Sequence, residues 1–364
     1  MQRGTVLATV ILLLVNIANI TDPISYTPPE SISLDDSLIA ERSCSVLTCA
    51  IEEDVLFGNN QDGLRGTPYI AFGNAVNWNI GGLWVFDEPI CYSGYMTSEG
   101  KPTSTEASMN QDGLCVAVNG LPPIPMYIDP SKENYTVGSG AGGPIHECGS
   151  VDEVISFYEQ YNYMPDGNNP VWGVQLQYAD ASGNAVVVGG DENGNITFTH
   201  KNESAFIVST NHNLAVPDNY YPGHYLESHE RFETATQMLE DIDTYDNLSV
   251  EAIRDILDAI HSENPYDPLM ETSHSFIFNP KTLDIYVYYR HDYTRVFIFN
   301  LLDEIATLEV DETRIYNLTE LYENWEDETL GFLERYSLIL VLGVSGAVVL
   351  AVSIVILFQK RRRS

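Results

Sequence analysis

One cysteine of the chain has the surroundings of a nucleophile. Cys44 opens the stretch CSVLTCAIEEDVLFGNNQDG, and Asp62 follows it eighteen positions later, after a predicted tight turn at Gly58, Asn59 and Asn60. If everything before Cys44 is removed, this residue carries a nucleophilic Sγ and, in its own α-amine, a base. A terminal amine with a pKa near ~8 and a thiol with a pKa near ~8.5 exchange a proton at neutral pH. Such a residue can attack an amide carbonyl.

The other four cysteines leave a competing interpretation open. Cys44 would be half of a disulfide if it paired with Cys91 or Cys148, and beside a nucleophilic Cys44 the remaining four cysteines allow three pairings. Cys49 is a rival nucleophile, but five positions along a strand it faces the opposite side. None of the cysteine spacings resembles a zinc site, so we predict neither a metal nor a cofactor.

Strands and helices that would position these groups alternate in blocks along the chain. A capping box at Ser150–Glu153 predicts one helix, and two more are predicted at 228–243 and 249–261. Runs rich in β-branched and aromatic residues predict strands at 45–51, 54–58, 68–72, 114–118, 172–179, 185–190, 204–210, 274–279, 283–290 and 294–299. The pattern predicts the α+β class, with helical layers covering antiparallel sheets.

Both ends of the chain are typical of an exported, anchored protein. The apolar run at 5–15 follows Arg3, as in a signal segment. Residues 338–358 contain no charge and are long enough to cross a bilayer, and the basic residues 360–363 favour the cytoplasmic side. We therefore predict a single-pass cell-membrane protein whose catalytic domain is extracellular and whose membrane partner is its own C-terminal helix.

The predicted organisation follows from these segments. A signal peptide at 1–20 precedes a Pro-, Ser- and Asp-rich propeptide or linker at 21–43. The remaining parts are a catalytic domain at 44–305, an acidic juxtamembrane segment at 306–336, a transmembrane helix at 337–358 and a basic cytoplasmic tail at 359–364.

The charge of the chain excludes one class of partner. Lys and Arg total 17 against 52 Asp and Glu, which gives a net charge of −35. Nucleic-acid binding requires a basic surface, so we expect no nucleic acid as a partner. The predicted extracellular location agrees with the glycosylation sequons at Asn134, Asn195, Asn202, Asn247 and Asn317.

Four separated motifs resemble one family of enzymes. Cys44-Ser45 with the later Gly58–Asp62 is similar to the C-[ST] and G-x-N-x-D opening of the choloylglycine hydrolase and penicillin V acylase group. The same order continues, to about residue 300, in Met109–Leu114 with Asn119–Pro122, in Ser209–Asn211 and in Ser228–Phe232. The resemblance implies a four-layer αββα N-terminal-nucleophile hydrolase fold and cleavage of linear amides.

The resemblance also implies roles around the nucleophile Cys44. Asp62 would hold the ammonium form of the α-amine and fix its direction, and burying that pair requires both partners. Arg231 would be the fixed charge near the thiolate, a task for which a planar guanidinium suits better than lysine. Many members carry Arg where this chain has Asn59, so thiolate stabilisation would depend more on Asp62 and Arg231.

Three further residues are implied as oxyanion or substrate contacts, together with Asn211 as a catalytic donor. A tetrahedral intermediate needs hydrogen-bond donors at its oxyanion, each worth roughly 2.7–4 kcal/mol. Asn211 would supply a side-chain N–H, and the backbone N–H near Asn119 and Gly120 would supply a second. Asn60 is expected to line the same site.

We therefore expect an extracellular cysteine amidohydrolase that cleaves a small-molecule N-acyl amide through a thioester acyl-enzyme. Three alternatives stay open. A dipeptidase would share Cys44 and Asp62, and an acyltransferase would pass the acyl group to an amine. A non-catalytic binding ectodomain would never expose Cys44 as a terminus.

Overall fold

The computed structural model describes residues 44–63, 66–73, 90–96, 102–136, 143–164, 171–216, 226–245, 247–263, 271–309 and 312–325. The predicted signal peptide, propeptide, transmembrane helix and cytoplasmic tail lie outside the described residues. No helix within the described ranges is both long enough and apolar enough to cross a membrane.

A six-stranded antiparallel sheet carries the start of the described chain. Its strands are β1 (Ser45–Ile51), β2 (Asp54–Asp62), β12 (Phe206–Ser209), β13 (Thr272–Asn279), β14 (Asp284–Tyr289) and β15 (Phe297–Asn300). They lie in the order β12-β1-β2-β13-β14-β15. The first hairpin turns at 52–53, where Glu52 has a φ of 52°. Both strands of this hairpin, β1 and β2, are hydrogen-bonded to a neighbouring strand on each edge. This part of the sheet is therefore rigid.

A second sheet of eight strands faces the first. Its strands are β3 (Thr67–Gly73), β4 (Ile90–Met96), β5 (Pro102–Asn110), β6 (Cys115–Pro125), β9 (Val171–Ala179), β10 (Ala185–Gly190), β11 (Ile196–His200) and β16 (Thr313–Asn317). Their order is β11-β10-β9-β6-β5-β4-β3-β16. Two short strands, β7 (Glu133–Thr136) and β8 (Tyr161–Met164), pair in parallel beside it.

Two of the helices begin at serine caps that the sequence makes recognisable. They span α1 (Val151–Gln160), α2 (Leu226–Tyr245), α3 (Val250–Ala259), α4 (Leu301–Ile305) and α5 (318–325). The side chain of Ser150 accepts a hydrogen bond from the Glu153 backbone, and Ser249 accepts one from Ala252, so each serine satisfies a backbone N–H at its helix N-terminus. The predicted helix start at Ser150 is confirmed, but the Glu153 side chain accepts from the Gly149 backbone N–H, at 2.7 Å, rather than from that of Ser150.

Three apolar cores separate four layers. Helices α2 and α3 cover the outer face of the six-stranded sheet through Leu239, Ile256, Leu47 and Ile277. The space between the two sheets is filled by residues such as Phe57, Phe276, Ile70 and Ala117. Helix α1 covers the outer face of the eight-stranded sheet through Val154, Tyr158, Val116 and Leu176. This mixed α/β architecture agrees with the predicted layering of helices over antiparallel sheets.

The predicted tight turn at Gly58–Asn60 is wrong, because these residues lie inside β2. Gly58 pairs with Leu47 on one side and with Ile277 on the other. A Cβ on Gly58 would come 2.9 Å from Ile253 Cγ2, closer than real side-chain contacts come. The glycine therefore allows α3 to approach the sheet rather than permitting a turn.

The folded body also continues past residue 305, where the predicted catalytic domain ends. Strand β16 pairs with β3 and so becomes an edge of the eight-stranded sheet. Asn317 then accepts a hydrogen bond from the Thr319 backbone (3.0 Å) at the start of α5, and Leu318 is fully buried. Residues 312–325 thus belong to the sheet and its core, although they fall in the predicted juxtamembrane segment.

Candidate active site

Cys44 lies immediately before β1, the second strand of the six-stranded sheet. The register pairs Ser45 with Asn60, which brings Cys44 opposite Gln61. The cysteine is 1 % exposed, and Gln61 Nε2 donates to its Sγ at 3.3 Å. A rigid strand therefore presents the thiol to a hydrogen-bond donor on the neighbouring strand.

Cys44, just before β1, and Cys49, within β1, face opposite sides of the sheet. Val46 packs between the sheets, whereas Leu47 and Cys49 pack against the helices. Because side chains alternate along a strand, Cys44 shares the inter-sheet face with Val46. All five cysteines are buried thiols, so the disulfide interpretation of Cys44 finds no support among the described residues.

The backbone nitrogen of Cys44 is held by a fixed amide. It donates to Asn211 Oδ1 at 2.8 Å. Arg231 Nη2 donates to the same oxygen at 2.8 Å, and Asn211 Nδ2 donates to the Gly120 carbonyl at 3.0 Å. These contacts orient the amide with its oxygen toward Cys44. Asn211 thus contacts the Cys44 nitrogen through its acceptor, and an amide nitrogen carries two hydrogens, so one remains for a second acceptor.

Arg231 reaches the start of β1 from the first part of α2. Its Nη1 donates to the Cys44 carbonyl at 2.9 Å and to Ser45 Oγ at 2.5 Å. Burial lowers the pKa of Arg231, while the charges of Asp62 and Cys44 act to raise it. The guanidinium therefore fixes the backbone of Cys44, in addition to placing a positive charge beside it.

Asp62 ends β2 and is 3 % exposed. Thr272 Oγ1 donates to its Oδ1, and the same Thr272 oxygen accepts from the backbone N–H of Ser262 at 2.8 Å. Because Asp62 also acts on the pKa of Arg231, the structure brings three sequence-predicted groups, the thiol, the carboxylate and the guanidinium, into one electrostatic cluster.

The structure shows Asn119 and Gly120 in other contacts, and the predicted role of a backbone N–H near them stays a prediction. Gly120 contributes a carbonyl acceptor, which orients Asn211. The side-chain oxygen of Asn119 accepts from Ser209 Oγ at 2.7 Å, a contact that links the two sheets. These contacts position the amide that meets Cys44.

Asn60 makes structural contacts on the helical side of β2, and these contacts give no support to its predicted role as a substrate contact. Its Nδ2 donates to the Leu257 carbonyl at 2.8 Å, and its Oδ1 accepts from Ser275 Oγ at 2.7 Å and from the Tyr293 hydroxyl at 3.1 Å. Since Asn60 is one residue from Gln61, it faces the helical layer, and a buried amide with this many partners ties β2 to α3.

Gln61 and Glu106 are site residues that the sequence did not reveal. Gln61 Nε2 also donates to Glu106 Oε2 at 3.1 Å, and Glu106 is 7 % exposed in the middle of β5. Tyr95 adds a hydroxyl that bonds Ser273 Oγ at 2.7 Å, and burial, followed by the Glu106 charge, raises its pKa. Counting the β1–β2 hairpin would have placed Gln61 opposite Cys44, whereas Glu106 has no local sequence signal.

Several polar atoms near this site are buried without a protein hydrogen-bond partner. Within the described residues they include both amide atoms of Asn59, Oε1 of Gln61 and Nδ2 of Asn119. Buried polar groups are nearly always hydrogen-bonded, and each that is not costs about 1–3 kcal/mol. Within the described residues these atoms share the inter-sheet side of the site, where they are available to a polar ligand.

Comparison with known proteins gives one family and one fold. Residues 52–292 match the family described as acyl-coenzyme A:6-aminopenicillanic acid acyl-transferase. A variant of conjugated bile acid hydrolase from Clostridium perfringens shares 15 % identity over 75 % of this chain and 97 % of that chain, with a TM-score of 0.58. Penicillin V acylase from Agrobacterium tumefaciens shares 14 % over 76 % and 91 %, with a TM-score of 0.56. None of the curated proteins matches the chain.

Proposed function

Since the chain belongs to the acyl-coenzyme A:6-aminopenicillanic acid acyl-transferase family, we propose that it is a cysteine amidohydrolase whose mature N-terminus is Cys44. The resemblance to choloylglycine hydrolase and penicillin V acylase that the motifs predict is confirmed at the level of the family. The substrate is an N-acyl amide, such as an N-acyl amino acid, an acyl-amine signal or a lactam-derived side chain.

One observation carries the proposal. The backbone nitrogen of Cys44 donates to an Asn211 oxygen that Arg231 and Gly120 hold in position, while the Sγ of the same residue accepts from Gln61. A buried peptide N–H also needs an acceptor, but here two further hydrogen bonds fix that acceptor, and a donor holds the thiol of the same residue. This arrangement supports a released α-amine, because a base must keep a fixed direction toward the proton that it accepts.

The acylation half follows from this arrangement. The neutral α-amine accepts the Sγ proton, and the thiolate attacks the amide carbon. The resulting oxyanion accepts hydrogen bonds from the second Nδ2 hydrogen of Asn211 and from a backbone N–H. When the C–N bond breaks, the ammonium returns its proton to the leaving nitrogen, and the acyl group stays on Sγ as a thioester.

The deacylation half repeats the same steps with water. The α-amine takes a proton from water as the oxygen attacks the thioester carbon. The C–S bond then breaks, the acid leaves and the thiolate recovers its proton from the ammonium. Asp62 and Arg231 keep opposite charges beside the amine throughout, so neither buried charge is left uncompensated.

N-terminal sequencing of the mature protein tests the proposal directly. We expect a chain that starts at Cys44, loses activity on N-acyl amides after treatment with iodoacetamide, and is unprocessed or inactive as Cys44→Ala. A mature protein that starts upstream of Cys44 contradicts the proposal and favours a binding ectodomain. Cys44→Ser separates two maturation routes, because it accumulates precursor if cleavage is autocatalytic and matures normally if another protease cuts after Ser43.

Acyl transfer is the second candidate, because the matching family is described as an acyl-transferase. An acyl thioester on Cys44 can be resolved by an amine instead of water, and the amine would gain the acyl group. Adding amines to the reaction and measuring the ratio of acid to new amide distinguishes the two. A ratio that does not change with amine concentration assigns the protein as a hydrolase. A dipeptidase would instead release free amino acids from dipeptides.

We further propose that the catalytic domain is extracellular and held by residues 337–358. The uncharged segment with its basic flank supports an anchor, and the sequon residues Asn134, Asn195, Asn202 and Asn247 are exposed. Protease added to intact cells should then release the domain, while deletion of 337–364 should move it to the medium. Full protection of the domain in intact cells contradicts this location.

A further inference from the structure

Three side chains that can bind a metal ion meet beside the C-terminal end of α3. His261 and Glu263 follow the helix, and His291 lies in the turn after β14. One ligand atom from each lies within 4.8 Å of the other two, and the His261 and His291 rings stack with centroids 5.6 Å apart. His261 is half-buried, whereas the other two residues are exposed. Only the fold brings them together, because His291 comes twenty-eight positions after Glu263.

The hydrogen bonds of His261 indicate which of its nitrogens faces the cluster. Nδ1 contacts the Asp258 carbonyl oxygen, and Asp258 Oδ1 lies 3.4 Å from the same nitrogen. A carbonyl oxygen only accepts, so Nδ1 carries the hydrogen. In a neutral ring Nε2 then has a lone pair, and it faces Glu263 Oε1 at 3.2 Å. Nε2 and Oε1 are therefore close enough to bind the same metal ion.

We propose that His261, Glu263 and His291 bind a divalent transition-metal ion, of which Zn²⁺ fits best. Two imidazoles and a carboxylate form a ligand set that suits zinc, whereas calcium and magnesium prefer oxygen ligands alone. Histidines that bind metals usually donate their other ring N–H to a backbone carbonyl or a carboxylate, as His261 does to Asp258. The exposed side of the cluster leaves a fourth position for water.

This site is connected to the candidate active site through Ser262, which lies between two of the ligands. The Ser262 N–H donates to Thr272 Oγ1 at 2.8 Å, and the Thr272 N–H donates to the Ser262 carbonyl at 2.9 Å. Thr272 Oγ1 in turn donates to Asp62. An ion that fixes His261 and Glu263 therefore fixes the segment that supports the Asp62 carboxylate, without touching the reacting atoms.

Zinc binding to the full-length protein tests the site. After removal of metals with a chelator, we expect equilibrium dialysis against ZnCl₂ in excess magnesium to give one zinc ion per chain. His291→Ala and Glu263→Gln should lose that ion, while His200→Ala, an exposed histidine on β11, should keep it. Zinc should also raise the melting temperature of the wild type but not that of His291→Ala, because only the native state holds the three ligands together.

Hydrogen exchange at Ser262 tests the connection to Asp62. Zinc should slow exchange of this amide in the wild type and leave it unchanged in His291→Ala. Three outcomes overturn the proposal: no zinc retained in magnesium, equal zinc retained by His291→Ala because the acidic surface binds it, or a His261 ring that is doubly protonated at neutral pH and unaffected by zinc. None of these measurements depends on enzyme activity, so they stand apart from the proposed amidohydrolase.

Discussion

The space between the two sheets has two ends that differ in chemistry although both are buried. On β2 the residues that face this space run from Phe57 through Asn59 to Gln61. At the first end Phe57 stacks on Phe278 with ring centroids 6.0 Å apart, and Phe276 stacks on Phe278 at 5.8 Å. At the other end the same strands present amides to the Cys44 region, and several of their atoms have no protein partner within the described residues.

The difference separates the part of the core that stabilises the fold from the part that is available for chemistry. Burial of aromatic rings contributes to folding in proportion to the apolar area removed from water. Burial of amides without partners costs free energy instead. Buried polar groups that lower stability, surrounded by strands with well-packed apolar side chains, are expected where a ligand binds.

The largest effect on activity should come from replacing Cys44, and the matched control is the replacement of Cys49 on the same strand. Cys44→Ala should lower kcat by about 10⁶-fold, as when a nucleophile is removed elsewhere, with little change in melting temperature. Cys49→Ala, on the helical face, should keep full activity and lose about 1 kcal/mol of stability through its cavity. Steady-state kinetics and urea unfolding of both variants check this. Activity lost in Cys49→Ala but retained in Cys44→Ala would reverse the assignment.

The apolar end should carry the stability. Phe57→Ala should lower the free energy of unfolding by about 3–5 kcal/mol, because it removes an aromatic ring from a packed interior and leaves a cavity. Denaturant unfolding measures this loss. A cost near zero would mean that the aromatic end is loosely packed, and the contrast between the two ends would disappear.

Acid should destabilise the protein through His274, which is fully buried where β13 approaches Gln61. Burial lowers the pKa of this histidine from 6.5 to about 3. The folded-state pKa lies below the unfolded one, so the stabilisation is complete above pH 6.5 and is lost as the pH falls toward about 3. The loss should be of the order of a few kcal/mol. His274→Gln should flatten the profile over this window, and an unchanged profile would contradict the prediction.

Gln61→Leu should weaken catalysis and should also reduce stability, because the buried Glu106 carboxylate loses a donor. The substitution keeps the size of the side chain and removes the N–H that donates to Cys44 Sγ and to Glu106. A hydrogen bond to a charged group is worth about 1.5–3 kcal/mol, so kcat/KM should fall roughly 10- to 100-fold. Gln177→Leu is the control. It removes bonds to Thr48 and Ser209, and should reduce stability without this loss in kcat/KM.

Asn59→Leu should produce the smallest change in the free energy of unfolding. Whether that free energy rises or falls is the informative result. Replacing a buried amide without a protein partner by an apolar side chain should raise the free energy of unfolding by about 1 kcal/mol. The same variant should raise KM if the amide meets substrate. A variant that is both less stable and equally active would show that Asn59 belongs to the structural core after all.

Much of the fold follows from local sequence signals. The capping residues Ser150 and Ser249 predict the starts of α1 and α3, and runs rich in β-branched and aromatic residues predict the strands around them. Strands β4 and β5 are missed because ICYSGYM and PTSTEASMN carry few β-branched apolar residues, so only their neighbours in the sheet make them strands. Strand β16 is missed for the same reason, since its acidic surroundings suggest a solvated segment.

For the candidate site, the sequence by itself determines which groups exist: a cysteine that proteolysis can convert into thiol and base, and the motif order that carries Asp62, Asn211 and Arg231. Tertiary structure alone decides which groups meet it and through which atom. A shift of one residue in strand register turns every side chain to the other face, so Asn60 faces a helix while Gln61 meets the thiol. Arg231 lies on α2 and Glu106 on β5, both far from Cys44 in the sequence. Their contacts near Cys44 form only when the layers pack, so no local sequence pattern predicts them.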